Sequence, residues 1–439
     1  MIEESQTTYY ISYALICAAV GLAYLKFKST EGAVITTKEF QVFQTGFLTG
    51  YSVVILCELI AAASFYHTFV SMHLSLEQIT KLYIATIAAS TATGIVTEIV
   101  DVGARKDKCV LAALLYSISM FSIFFGGHFE MLLLGRLVYG AASSLHHQCF
   151  ENYAVHQHAS RGFPEDWLGH TFSLLTHCMA LVAAVSGVLG QIAASTGTMG
   201  PPALCCAMFA VSAGYMAVAW EKDLNSPRFM LGSFVANVKK AHSAVSSNRQ
   251  MLCLVAVSSL VETSILIFSF YWAPWMSLLR DDGQHLPSEI VFSCFVLASM
   301  LGNYCFQMFS PTAGIEGTFQ GILLASSALY LLGAMVGTAG FAFLVGVLVQ
   351  GCMGGYWPSI GYLRGRIVPP ELRNTVLIAP KVITVLLTVL LLHWTHHLPL
   401  LLLSACAALN AAAAYIQGTY MDTKSLLAEE EEDSSDEED

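Results

Sequence analysis

Long apolar runs recur along the chain, near 9–25, 40–68, 80–101, 108–126, 130–153, 171–195, 201–220, 250–276, 288–309, 317–338, 340–362, 374–394 and 397–417, with short polar stretches between them. A helix of about 20 mostly apolar residues crosses the hydrocarbon core of a bilayer. The pattern therefore predicts an all-α membrane protein with one leading span followed by twelve core spans. The longest internal polar stretch, 221–249, divides the core spans into six and six. The expected organisation is an extra N-terminal transmembrane helix and linker over 1–39, a six-helix bundle over 40–220, a central loop over 221–249, a second six-helix bundle over 250–418 and an acidic tail over 419–439. This layout points to a polytopic carrier, ahead of a channel or an integral-membrane enzyme.

Composition agrees. Hydrophobic residues make up 55% of the chain and charged residues 12%, about half of what a soluble protein carries. This excludes a soluble enzyme, a disordered chain and a nucleic-acid binder with a basic face. The formal charge of −11 is a property of the tail, because nine acids fall in the last eleven residues, 429–439, and the remainder holds 22 acids against 20 bases. With the N-terminus outside, 16 of the 20 basic residues fall in segments expected to face the cytoplasm, from Lys26 and Lys28 through Arg105, Lys106, Lys222 and Arg364 to Lys424. That asymmetry obeys the positive-inside rule and predicts a cytoplasmic C-terminus. The acidic start, Met1-Ile-Glu-Glu, and the lysines after the first apolar run favour a retained anchor over a signal peptide.

Ionisable groups within spans are costly and so mark function or pairing. Glu58 lies past the middle of the first core span, Arg136 and Glu151 in the fourth, Glu262 centrally in the seventh and Lys381 in the eleventh. They are the candidate substrate-binding or coupling residues, expected to line a polar cavity between the halves, with mutual pairing as the structural alternative. His146 and His147 are adjacent and point about 100° apart on a helix, which makes them poor co-ligands, so neither a metal nor any other cofactor is expected. The 12 cysteines sit in or at the ends of apolar segments as small hydrophobes. Gly333-xxx-Gly337 and Gly351-xxx-Gly355 predict close helix approach, and Pro274, Pro358 and Pro380 predict kinks or breaks. No nucleophile elbow, phosphate loop or zincin motif occurs.

Several stretches resemble known carriers. Asp101-Val-Gly-Ala-Arg105-Lys106 resembles the D-x-x-x-R-K signature of the major facilitator superfamily, and Gly135-Arg136-Leu-Val-Tyr-Gly140 resembles its fourth-helix G-R-x-x-x-G. The most specific stretch is Phe150-Glu151-Asn-Tyr153 through His156 and His158, running on to Gly162-Phe163, Trp167-Leu168 and Thr171-Phe172. It is similar to the hallmark region of the molybdate-anion transporter family. Glu77-Gln-Ile-Thr-Lys-Leu-Tyr83, Val261-Glu262 through Trp272-Ala-Pro274, and Trp357-Pro358-Ser359 through Arg364, Arg366 and Pro369 extend that resemblance over roughly residues 40–385. Where the family reads N-x-F-R-x-P, this chain has Ile378-Ala-Pro380-Lys381, a point charge in place of a bidentate fork.

The resemblance implies a major facilitator fold and a secondary active carrier of a small oxyanion, molybdate, working by alternating access with protons as a candidate coupling ion. It implies an inward-side lock at Asp101, Arg105 and Lys106. A same-fold carrier of an organic or cationic solute is the alternative, and a non-transporting sensor or sorting protein the second. The expected setting is a monomer in the lipid bilayer of the plasma membrane, or else of the endolysosomal system. Asp422, Leu426 and Leu427 fit an acidic dileucine signal, which would make a clathrin adaptor a partner; no nucleic-acid partner is expected.

Overall fold

The computed structural model describes residues 6–30, 36–101, 104–126, 128–222, 228–229, 231–280, 286–369 and 372–420. The chain is helical almost throughout. In order come α1 (Gln6–Thr30), α2 (Lys38–Ser71), α3 (Leu76–Ile99), β1 (Val100–Asp101), α4 (Arg105–Ser122), α5 (Phe129–Ser160), α6 (Glu165–Ser195), α7 (Gly200–Ala219) and β2 (Arg228–Phe229). After these come α8 (Leu231–Ser247), α9 (Arg249–Leu278), α10 (Ser288–Ala313), α11 (Ile315–Met335), α12 (Ala339–Ile367), α13 (Arg373–Val376), α14 (Ile378–Thr395) and α15 (Pro399–Tyr420).

Twelve of the described helices are long and apolar enough to cross a membrane, α1 among them. The helix α5 is as long as its neighbours but is not one of the twelve. Arg136, His146, His147, Gln148 and Glu151 dilute its apolar run. It is nonetheless packed between α3 and α4. Gly140 permits this, because a Cβ there would lie 2.2 Å from the Thr86 carbonyl of α3.

Two features refine the expected layout. The polar stretch 221–249 is not a loop throughout, since residues 231–247 form α8. Just before it, β2 pairs antiparallel with β1, Val100 opposite Phe229 and Asp101 opposite Arg228. The eleventh core span is interrupted. Leu377 separates α13 from α14, which puts Pro380 in the first turn of α14, where its missing N–H breaks no helical hydrogen bond. Pro274 and Pro358 lie inside unbroken helices rather than at breaks, as does Pro311 in α10.

The structure divides into two compact units. The first holds residues 1–234 with 272–301 and 338–343. Within it α2 packs on α6 and α7, and α4 on α5 and α7. Its core is aromatic, with Tyr116 stacked on Phe209 at 4.7 Å and Tyr153 on Trp220 at 4.4 Å. The helix α1 docks on α6 through Tyr13, whose hydroxyl donates to the Ala184 carbonyl at 2.5 Å. The second unit holds 235–271, 302–337 and 344–439, with α11 packed along α15. There Gly302 lies against Gly351, where a Cβ would meet the Gly351 carbonyl at 1.8 Å. Gly351-xxx-Gly355 is thus a packing motif, whereas a Cβ on Gly337 would meet only open space.

Candidate functional site

In the first unit Tyr116 and the two α5 histidines come together around Glu58. An isolated carboxylate in such a setting needs donors, and two side chains approach it. The Tyr116 hydroxyl of α4 donates to Oε1 at 2.6 Å, and Nδ1 of His146, on α5, lies 3.1 Å from Oε2. His146 is 1% exposed. Its ring stands edge-on to Phe150 at 4.8 Å and lies 5.3 Å from the Tyr51 ring. His147 follows on the same helix, its ring centre 5.1 Å away, with Nδ1 2.8 Å from the Ser143 carbonyl.

Arg136 is buried, but it does not pair with Glu58 or Glu151. Its Nε donates to the Thr86 hydroxyl at 2.9 Å. Its guanidinium lies over two rings, 3.9 Å from the centre of Phe65 and 4.5 Å from that of Tyr139. These faces stabilise a cation without neutralising it. Nη1 has no hydrogen-bond partner among the described residues. Glu151, just over one turn beyond the histidines, is exposed and forms no ion pair among the described residues.

In the second unit Glu262 of α9 has a different partner. Arg364, in the last turn of α12, donates to its Oε1 at 2.8 Å, and the Tyr356 hydroxyl approaches the same oxygen at 3.3 Å. Lys381 is exposed in the first turn of α14, within electrostatic range of that carboxylate. Arg364, which the topological reading counts as a marker of the inner face, is also the ion-pair partner of the part-buried Glu262, its own side chain being 21% exposed. The two tyrosines are site residues that the sequence reading does not single out, whereas it weighs His146 only as a metal ligand and counts Arg364 only as an inner-face base and part of a family-like stretch.

The Arg105–Lys106 region sits where α4 meets α7. Lys106 Nζ donates to the carbonyls of Ala217 and Trp220, at 2.8 and 2.6 Å, and so caps the C-terminus of α7. Lys222 pairs with Asp107 at 2.9 Å and Arg161 with Glu221 at 2.9 Å. The side chain of Asp101 lies outside the described residues, as do Asp422, Leu426 and Leu427. The stretch around Phe163 builds an aromatic cluster rather than a polar site. Phe40 lies 5.2 Å from Phe163, 4.9 Å from Trp167 and 6.0 Å from His158. None of the 12 cysteines is in a disulfide among the described residues, and Cys305 is exposed rather than buried.

A bundle of spanning helices that keeps ionised groups in its interior is built to move polar solutes, and solved structures share this architecture. A variant of the nucleoside transporter NupG matches with a TM-score of 0.66 at 13% identity, covering 86% of this chain and 99% of that one. A bacterial homologue of the human lysosomal transporter Spinster matches with a TM-score of 0.60 at 14% identity, covering 87% of this chain and 95% of that one. The fold is that of a major facilitator carrier. The chain belongs to the major facilitator family described as sugar transporters with 12 transmembrane segments, whose model matches residues 8–349. It is also similar to proteins named molybdate-anion transporter. The one from Xenopus tropicalis is 25% identical over 356 residues, covering 78% of this chain and 76% of the relative. The one from Takifugu rubripes is 25% identical over 409 residues, covering 84% and 83%. The protein is a multi-pass membrane transporter and not an enzyme.

Proposed function

We propose that this transporter is a secondary active carrier of a small oxyanion of the molybdate class, working by alternating access. The observation that carries the reading is Arg136. It is a buried guanidinium held by aromatic faces and one hydroxyl, with no carboxylate partner among the described residues. A buried cation left in this way supplies the positive potential and the multiple donors that a tetrahedral anion requires. The name shared by the relatives points to the same class of solute. Lys381 is the second candidate cation, and Glu151 and Glu262 are assigned to exchange partners during the cycle. The capping of α7 by Lys106 supports an inward-side lock at Asp101, Arg105 and Lys106.

The test is uptake of labelled molybdate by purified protein in reconstituted vesicles, with and without an imposed pH gradient. Saturable uptake that tungstate and sulfate suppress, and that Arg136→Gln reduces at least tenfold, is the expected result. Stimulation by an inward-acid gradient would establish proton coupling. Uptake undiminished in Arg136→Gln would overturn the assignment of the anchor.

The family description favours a second reading, a neutral polar solute such as a sugar. Competition by sugars or amines, with none by tungstate, would select that reading or its cationic counterpart. The plasma membrane is the proposed location, with the dileucine signal as the sorting element. Replacing Leu426 and Leu427 with alanine should then shift the protein between the cell surface and internal membranes in a surface-labelling assay.

A further inference from the structure

We propose that Glu58, His146 and His147 form a binding site for a divalent transition cation of the zinc class. One donor atom from each of the three residues lies within 4.8 Å of the others. Two carboxylate–imidazole details fit a shared metal ion. First, His146 Nδ1 and Glu58 Oε2 are 3.1 Å apart. Two donors on one tetrahedral zinc ion, each at about 2.0–2.1 Å, stand about 3.3 Å from one another. The observed spacing is that of two ligands sharing an ion. Second, Nε2 of this 1%-exposed histidine has no hydrogen-bond partner among the described residues.

The surroundings supply the outer shell that metal ligands use. Tyr116 donates to Oε1 of Glu58 at 2.6 Å and leaves Oε2 free to coordinate. His147 Nδ1 lies 2.8 Å from the Ser143 carbonyl. If Nδ1 carries the proton and donates it there, the lone pair is left on Nε2, the tautomer usual for a ligating imidazole. Adjacency on the helix separates the directions in which the two side chains leave the backbone, but the imidazoles are long enough to converge, with ring centres 5.1 Å apart. The remaining adjustment falls on His147, which is exposed and can rotate without repacking a neighbour.

Two imidazoles and one carboxylate leave a tetrahedral ion one open position. With neutral histidines the cluster alone carries the single negative charge of Glu58; with the ion it carries a single positive charge. The site would thus change from one that repels an anion to one that accepts an oxygen donor at the open position. The inference does not rest on the oxyanion reading, because its test needs no transport.

Full-length protein in detergent, stripped with a chelator, is titrated with cobalt as a spectroscopic probe. The expected result is one equivalent bound with visible ligand-field bands, which zinc displaces. Glu58→Gln and His147→Ala should weaken binding about a hundredfold. Tyr116→Phe, acting through the orientation of Glu58, should weaken it about tenfold. His397→Ala, at an exposed histidine elsewhere in the chain, should change nothing. Metal-free melting confirms that the variants fold, and His147→Asn gives the same readout if alanine disturbs the helix. Absence of stoichiometric cobalt binding, or binding undiminished in both Glu58→Gln and His147→Ala, overturns the site. Loss in His397→Ala would place the metal elsewhere and overturn it equally.

Discussion

Glu58 and Glu262 stand in the first and seventh core spans, and each accepts a hydrogen bond from a buried tyrosine, Tyr116 at 2.6 Å and Tyr356 at 3.3 Å. Their second partners differ in kind. Glu262 is held by the guanidinium of Arg364 at 2.8 Å. Glu58 is approached by His146 at 3.1 Å, whose charge is optional. In the second unit the acid is neutralised by an ion pair. In the first unit the buried Arg136 is committed to Thr86 and two aromatic rings instead. The contrast separates an acid paired with a guanidinium from a position whose net charge depends on what occupies it.

Four tests probe that contrast. The largest effect is expected at Arg364. Arg364→Met leaves the part-buried Glu262 without its hydrogen-bonded cation and should lower stability by up to about 3–5 kcal/mol. The double variant with Glu262→Gln should recover most of the loss, measured by thermal unfolding in detergent. Recovery by less than half would mean that Arg364 has a further role. Next, Tyr116→Phe removes the shorter of the two tyrosine contacts and should cost about 1.5–3 kcal/mol, the range for a hydrogen bond to a charged group. Tyr356→Phe, losing the longer contact, should cost less; the reverse order would break the parallel between the sites. Third, Glu58→Gln keeps an acceptor for Tyr116 and strands no permanent cation, so a change of about 1 kcal/mol or less is expected in the absence of metal. Finally, Lys381→Ala alters an exposed group and should leave the melting temperature unchanged. Its effect should appear only as slower solute uptake in vesicles, and unchanged uptake would remove Lys381 from the pathway.

Much of this was legible before any coordinates. The apolar runs mark the spans because a bilayer admits few alternatives to a continuous helix. Glu58, Arg136 and Glu262 stand out because charge is scarce there. The partners were harder to read. Tyr116 and Tyr356 are two of 18 tyrosines, and nothing local distinguishes a hydroxyl aimed at a carboxylate from one aimed at lipid. Arg364 lies near a helix end, where basic residues usually mark topology, so only its packing reveals the pairing. His146 and His147 look divergent from helical geometry alone, because that argument follows the Cα–Cβ direction and ignores side-chain length. The helix α8 hides in a segment rich in serine and lysine, whose amphipathic period is short and interrupted by Gly232 and Ser233.

The strand pair beside α8 bears on how far the central segment can reach. A slack chain of about 28 residues could extend up to about 100 Å at full stretch. Here β2 is stitched back to β1 by residue 229, and the 17 residues of α8 rise only about 26 Å as a helix. The helical part of the segment is therefore a short, stiff rod rather than a slack rope. Inserting a flexible glycine–serine stretch after Phe229 would lengthen its reach without touching a single charged residue of either cluster.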